Sequence, residues 1–171
     1  GKALAKRCLG FESNVYVYDP FIESSTIKNN NCNSIEFEEG ITIADFISLH
    51  LPLNEKTKNM ISKDQFNMMK NTCILVNTAR GGLINEQDLV WALTNKKIYG
   101  AGLDVYEKEP PTKDNPLLKL ENIILSPHNA ALTLECRKRM AIETCTNIVH
   151  YLYDINKLNV SNIINKKKLN L

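Results

Sequence analysis

The chain has no apolar run near the roughly 20 residues needed to cross a bilayer as a helix, which argues against an integral membrane protein of that kind. It also lacks an excess of either charge. Lys plus Arg number 21 against 19 for Asp plus Glu, and a net charge of +2 is too weak a field to point to nucleic acid or to a membrane surface. None of its five cysteines (Cys8, Cys32, Cys73, Cys136, Cys145) stands in C-x-x-C spacing, and no histidine cluster accompanies them. Neither a metal site nor a disulfide framework is therefore expected, and a reducing, cytoplasmic compartment is. The chain has no internal repeat and no initiator methionine: it opens on Gly1 and Lys2, so its start is expected upstream and any targeting peptide is unreadable.

What is there is ordinary in bulk: 171 residues, 43% hydrophobic and 23% charged, the composition of a soluble globular protein and the length of one domain or of one plus a fragment. Short apolar, β-rich runs alternate with helical patterns, the signature of βα units and a mostly parallel sheet. The patterning predicts strands over 14–18, 46–50, 73–77, 98–104 and 123–125. Helices are predicted over 2–9, 63–68 and 86–94, the last with Asn85 as its N-cap. The Asn-rich stretch 24–39 reads as a poorly ordered connection, 132–153 as one long helix leading out of the sheet domain, and Lys166, Lys167 and Lys168 as a solvated tail.

Chemistry-bearing residues gather where such a sheet keeps its ligands. VNTARGGLINEQDL (76–89) puts Arg80 just past an apolar strand, before Gly81 and Gly82, which remove side chains where ligand and backbone must come close. GAGLDVYEKEPP (100–111) carries Asp104 and Glu109 past the next strand, and LSPHNAALT (125–133) carries His128 past the one after. Taken singly, Arg80 and Glu109 also read as surface charges, Asp104 as a turn acid and His128 as a capped loop imidazole. Together they read as one site, because the C-terminal ends of parallel strands face a single crevice. Asp19, followed by Pro20 just after the first predicted strand, can accept hydrogen bonds from the ribose hydroxyls of an adenine nucleotide, or serve only as a turn-former. A glycine loop normally stands about 20 residues before such an acid. Gly1 lies at about that distance, as the last glycine of a fingerprint otherwise upstream.

These strings, with HLPLNEKTKNMIS (50–62), resemble the nucleotide-binding domain of the D-isomer-specific 2-hydroxyacid dehydrogenases, most closely their phosphoglycerate dehydrogenase and hydroxypyruvate reductase branch. The resemblance implies an α/β fold, a Rossmann-like doubly wound parallel sheet over 1–131, incomplete at its N-terminus. The segment 132–171 would then lead back to a substrate domain outside the chain. It implies NAD as cofactor, a small 2-hydroxy or 2-keto acid as substrate, and a homodimer at full length. Arg80 would bind the substrate carboxylate, His128 would be the general acid/base and Glu109 its carboxylate partner. Gly1 would face the pyrophosphate, and Asp19 beside Pro20 the adenosine ribose. Thr78, Ala79, Arg80 and Asp104 would lie beside the nicotinamide, with His50, Pro52 and His128 also among the cofactor contacts.

The residue types suit that chemistry. Reduction of a 2-keto acid needs a proton donor aimed at the carbonyl oxygen and a fixed cation for the carboxylate, which histidine and arginine supply. A carboxylate beside the imidazole stabilises its charged form and fixes its orientation. A non-enzymatic alternative within the same family, an NAD-sensing transcriptional corepressor, keeps the same three residues. The formate dehydrogenases are disfavoured, because a glutamine is expected there in place of Glu109.

Overall fold

A computed structural model describes residues 1–164, so the tail lysines Lys166, Lys167 and Lys168 lie outside the described residues. The chain divides into two compact units, Gly1–Asn129 and Ala130–Leu171. The first unit alternates α1 (Lys2–Leu9), β1 (Tyr16–Val17), α2 (Ser24–Lys28), β2 (Asn33–Ser34), α3 (Phe37–Ile43), β3 (Phe46–Leu49), α4 (Lys63–Met68), β4 (Ile74–Asn77), α5 (Glu86–Thr94), β5 (Gly100–Leu103) and β6 (Ile123–Leu125). The second holds α6 (Leu134–Tyr153), started by Thr133, whose side chain accepts the Cys136 N–H.

Four strands form one parallel sheet in the order β3-β4-β5-β6, and β1 and β2 form a separate parallel pair. In the doubly wound order 3-2-1-4-5-6, the pair corresponds to positions 3-2, and the larger sheet to 4-5-6 with one further strand outside. Position 1 of that order, which would lie between the pair and the larger sheet, has no strand among the described residues. The register aligns Leu49 with Asn77 and Asn77 with Leu103, and Leu103 with Leu125. All four strands of the larger sheet therefore end at one edge, and the loops that follow them share it.

The core explains why this edge is rigid. Ile61, Phe66, Leu75, Leu83, Leu89, Ala92 and Ile98 are fully buried, sealing α4 and α5 to one another and to the sheet. Helix α4 starts at Ser62, whose N–H donates to the Gln65 side chain three residues on, half of a capping box. Helix α5 starts at Asn85, whose side-chain oxygen accepts the Asp88 N–H at 3.0 Å, the cap the sequence suggested. Trp91 on α5 is half-buried, with the ammonium groups of Lys63 and Lys97 over its ring at 4.7 and 5.7 Å.

One expectation fails. The stretch 24–39, read as a poorly ordered connection, contains α2, β2 and the start of α3. Two scattered apolar side chains within it, Ile27 and Cys32, and a third just beyond it, Ile41, are buried and anchor it. They are too few and too irregularly spaced among asparagines and glutamates to register as a helical or strand period. In the second unit α6 starts two residues later than expected and ends where expected, but buries none of its residues, leaving Met140, Ile142, Ile148, Val149 and Leu152 exposed. Among the described residues no helix is long and apolar enough to cross a membrane.

Candidate active site

Three consecutive strand-end loops make the site. The first follows β4. Asn77, the last residue of that strand, is 1% exposed and spends its carboxamide on the turn after it. Its oxygen accepts the Ala79 N–H at 3.0 Å, and its nitrogen donates to the Arg80 carbonyl at 2.8 Å. Arg80 is thereby fixed as the residue leading into the tight turn Gly81–Leu83. Its side chain is exposed, with Nη1 donating to the Ala79 carbonyl at 2.6 Å.

The second loop follows β5. Asp104 is 3% exposed, and its Oδ1 accepts from the Ser126 hydroxyl at 2.5 Å and from the Asn129 N–H at 2.9 Å. Glu109 turns back over the same loop so that its Oε1 accepts the Tyr106 N–H at 3.0 Å. The third loop follows β6 and carries His128, whose φ of 52° lies in the left-handed region. A non-glycine residue holds that conformation only where its surroundings impose it. Asp104 supplies two of the constraints, flanking His128 at Ser126 and Asn129.

Across the loops, His128 Nδ1 and Glu109 Oε2 lie 2.7 Å apart. The Tyr106 N–H and the His128 side chain, as hydrogen-bond partners, hold the Glu109 carboxyl below its ordinary pKa, with the charges of His128 and Arg80 adding to the effect. Glu109 is thus ionised throughout the neutral range, and the hydrogen bond to Nδ1 leaves Nε2 as the ring nitrogen free for a substrate.

Gly81 joins the first loop to the second. A Cβ on it would sit 1.9 Å from the Tyr106 carbonyl carbon and 2.0 Å from its oxygen, and a Cβ on Gly82 would meet the Leu53 side chain at 3.0 Å. The sequence suggested that these glycines make room for a ligand. Both do line the larger of the two clefts at this edge, and an added side chain there would first meet protein: backbone at Gly81, and a leucine at Gly82.

Two clefts open along the edge. One, of about 850 Å³, is lined by Arg80, Glu109 and His128 together with Lys58, Tyr106 and Glu107, among others. The other, of about 750 Å³, is lined by Gly1, His50, Leu51, Pro52, Leu53, Thr78, Ala79 and Arg80. Arg80 lines both. His50 shares a hydrogen bond with Ser48 at 2.9 Å, and burial pulls its pKa below the ordinary imidazole value. The structure thus brings Gly1, His50, Pro52, Thr78, Ala79 and Arg80 to one cleft, and Arg80, Glu109 and His128 to the other. Asp104 lines neither and instead braces the His128 loop from below. Asp19 and Pro20, two and three residues past β1, also line neither, and the Asp19 carboxylate accepts the Phe21 N–H at 2.9 Å. Asn77 and Tyr106 were not singled out in the sequence. An asparagine ending an apolar strand was a usable signal for the first, and nothing marked the second.

The smaller cleft suits a nicotinamide dinucleotide. Gly1, at the start of α1, lines this cleft, and the backbone N–H groups of a helix N-terminus suit a pyrophosphate. Leu51, Pro52 and Leu53 offer an apolar wall of the kind a nicotinamide ring packs on, next to the polar Thr78 and Arg80.

Comparison with known proteins agrees. Residues 1–130 match the family model described as D-isomer specific 2-hydroxyacid dehydrogenase, NAD binding domain. A glyoxylate reductase of Korarchaeum cryptofilum is 42% identical over 151 residues, 88% of this chain and 46% of that protein. A D-3-phosphoglycerate dehydrogenase of Archaeoglobus fulgidus is 41% identical over 150 residues, 88% of this chain and 28% of that one. The chain therefore spans less than half the length of these curated relatives. Among solved structures, the D-lactate dehydrogenase of Aquifex aeolicus complexed with NAD and lactic acid superposes with a TM-score of 0.82 at 29% identity, covering 91% of this chain and 51% of that one. The chain belongs to the D-isomer-specific 2-hydroxyacid dehydrogenases and carries their NAD-binding domain.

Proposed function

We propose that this chain is the cofactor-binding and acid–base portion of an enzyme that interconverts a D-2-hydroxy acid and its 2-keto acid. The observation that carries this reading is the Glu109–His128 pair at 2.7 Å in a cleft that Arg80 also lines. Arg80 holds the substrate carboxylate through its planar fork of donors, a geometry lysine does not reproduce. His128 gives a proton to the C2 oxygen in reduction and takes it back in oxidation. Glu109, ionised at neutral pH, holds the ring through Nδ1 so that Nε2 faces the substrate. NAD, when bound, supplies or accepts the hydride at C2. Gly1 and the start of α1 would hold its pyrophosphate, Asp19 its adenosine ribose, and His50, Pro52, Thr78 and Ala79 the nicotinamide half. The oxidoreductase names of the relatives favour this enzyme over a corepressor.

For the substrate, Lys58 is the second cationic side chain lining the Arg80 cleft, and among the described residues its ammonium group has no ion-pair partner. This favours an acid with a second negative group, such as 3-phosphoglycerate, over one whose only charge is its carboxylate, such as glycerate. The chain by itself is expected to bind NAD weakly and not to turn over, because hydride transfer requires a closed, water-excluded cleft and this one lies open along a sheet edge.

The test uses the complete product of the gene. NADH oxidation is followed with phosphohydroxypyruvate, hydroxypyruvate and glyoxylate, in the wild type and in His128→Ala and Arg80→Lys. Loss of at least 100-fold in kcat for His128→Ala, with a raised KM for Arg80→Lys, is expected. Turnover that survives His128→Ala would refute the assignment.

A further inference from the structure

The mechanism above uses Arg80, Glu109 and His128 but leaves unexplained what keeps three separate loops in register. One residue touches all three. Tyr106, 7% exposed, gives its backbone N–H to Glu109 Oε1 at 3.0 Å. Its hydroxyl reaches across to donate to the Ser126 carbonyl at 2.9 Å, two residues before His128. Its own carbonyl lies so close to Gly81, the residue after Arg80, that no side chain fits between them. From these contacts we propose that Tyr106 is a positioning residue that locks the loops after β4, β5 and β6 together, and that its hydroxyl sets the placement of His128 against Glu109 and Arg80. The inference rests on the functional reading above and adds to it a residue without chemistry of its own.

The argument for the hydroxyl is one of constraint. His128 sits in the left-handed region, which is costly for a non-glycine residue and makes its position sensitive to the contacts that flank it. Asn129 is held on one side by Asp104. On the other, Ser126 is held twice, by Asp104 through its side chain and by Tyr106 through its carbonyl. Removing the Tyr106 oxygen leaves the aromatic ring in the core but frees the Ser126 carbonyl, and the loop gains room to turn. Because proton transfer needs donor and acceptor within hydrogen-bond reach, a small displacement costs rate without costing substrate binding.

Tyr106→Phe is therefore compared with wild type, Ser126→Ala and His128→Ala in the complete gene product. The expected result is a loss of about tenfold in kcat with KM for the keto acid and Kd for NADH within about twofold, since Arg80 and the dinucleotide cleft keep their own supports. The alkaline limb of the kcat profile should also move. The groups that face His128 there are Glu109 on the second loop, Arg80 on the first, and Lys58 and Glu107 across the cleft, with Asp104 behind. A merely structural role would lower stability and leave that limb in place. Independently of turnover, the ring resonances of His128, assigned by their loss in His128→Ala, should be displaced in Tyr106→Phe, and the other histidines of this chain, His50 and His150, act as controls. A folded Tyr106→Phe protein with wild-type kcat, wild-type pH profile and undisplaced His128 resonances overturns the proposal. A wild type without His128-dependent turnover would sink the functional reading instead, and the resonance displacement would still decide the role of Tyr106.

Discussion

Gly81→Ala is the most demanding single test of how the site is held. The added methyl would sit 1.9 Å from the Tyr106 carbonyl carbon, 2.0 Å from its oxygen and 2.5 Å from the Glu107 nitrogen. All three are backbone atoms, so no flexible side-chain end can swing away. To reach ordinary van der Waals contact the two loops must part by about 1.5 Å, and overpacking of this kind costs about 1–3 kcal/mol. Alanine recovers roughly 0.4–1 kcal/mol by restricting the unfolded chain, since the φ of Gly81 is not positive, which leaves a net destabilisation of about 1–1.5 kcal/mol. The functional loss should be larger in proportion. Misplacing a clamp by about 1 Å costs on the order of 100-fold in rate, and here Arg80 moves away from Glu109 and His128. Gly102→Ala on β5 is the control, because its methyl would meet Val76 side-chain carbons at 3.9 and 4.0 Å, an ordinary contact. Urea denaturation read by the single tryptophan, Trp91, measures stability, and NADH oxidation by the complete gene product measures rate. If Gly81→Ala unfolds at the same urea concentration as Gly102→Ala and retains its rate, the packing of the two loops is not what positions Arg80.

Glu109→Gln should move the alkaline limit of keto-acid reduction to lower pH with little change in KM, and an unmoved profile would refute the pair. In stability, Glu109 has a depressed pKa in the fold, so its advantage over glutamine should be complete above the ordinary carboxylate range and vanish as pH falls through that depressed value, as acid titration of both proteins would show. Asp19 should make kcat/KM higher with NADH than with NADPH, because a 2′-phosphate would set negative charge against its carboxylate, and equal or reversed preference would refute this. Cys73, fully buried and with burial as the main cause of a pKa pushed up to about 11, should resist a thiol reagent at pH 8 until the chain unfolds, whereas exposed Cys145 reacts at once.

The sequence was legible where one residue's surroundings are its own neighbours in the chain. The strands β3 to β6 and the helices α4 and α5 came from uninterrupted apolar runs or a strong period, and Asn85 from its place before one. The strand-end positions of Arg80, Glu109 and His128 were readable for the same reason, since the end of an apolar run marks the end of a parallel strand. The stretch 24–39 was not, because its short elements bury at most one side chain each. Nor could the sequence say which strands pair, since that depends on which edges meet in space: among the described residues β1 pairs with β2, and β3 to β6 form their own sheet.

The contacts that turn three loop residues into one site belong to this second kind. Asp104 read in the sequence as a turn acid and Tyr106 was not marked, and both act through partners on another loop, whereas Asn77 braces only the turn that follows it. Asp104 reaches 22 and 25 residues ahead to Ser126 and Asn129, and Tyr106 reaches 20 ahead to Ser126. Gly81 likewise has its meaning only against the backbone of Tyr106. A carboxylate and an imidazole on flexible loops would meet only part of the time, and each would lose side-chain and backbone freedom whenever they did. Here that ordering is already complete before a substrate arrives. Buried hydrogen bonds from Asn77, Asp104 and Tyr106 fix the loop backbones, so the exposed Arg80, Glu109 and His128 can be both solvent-accessible and preorganised.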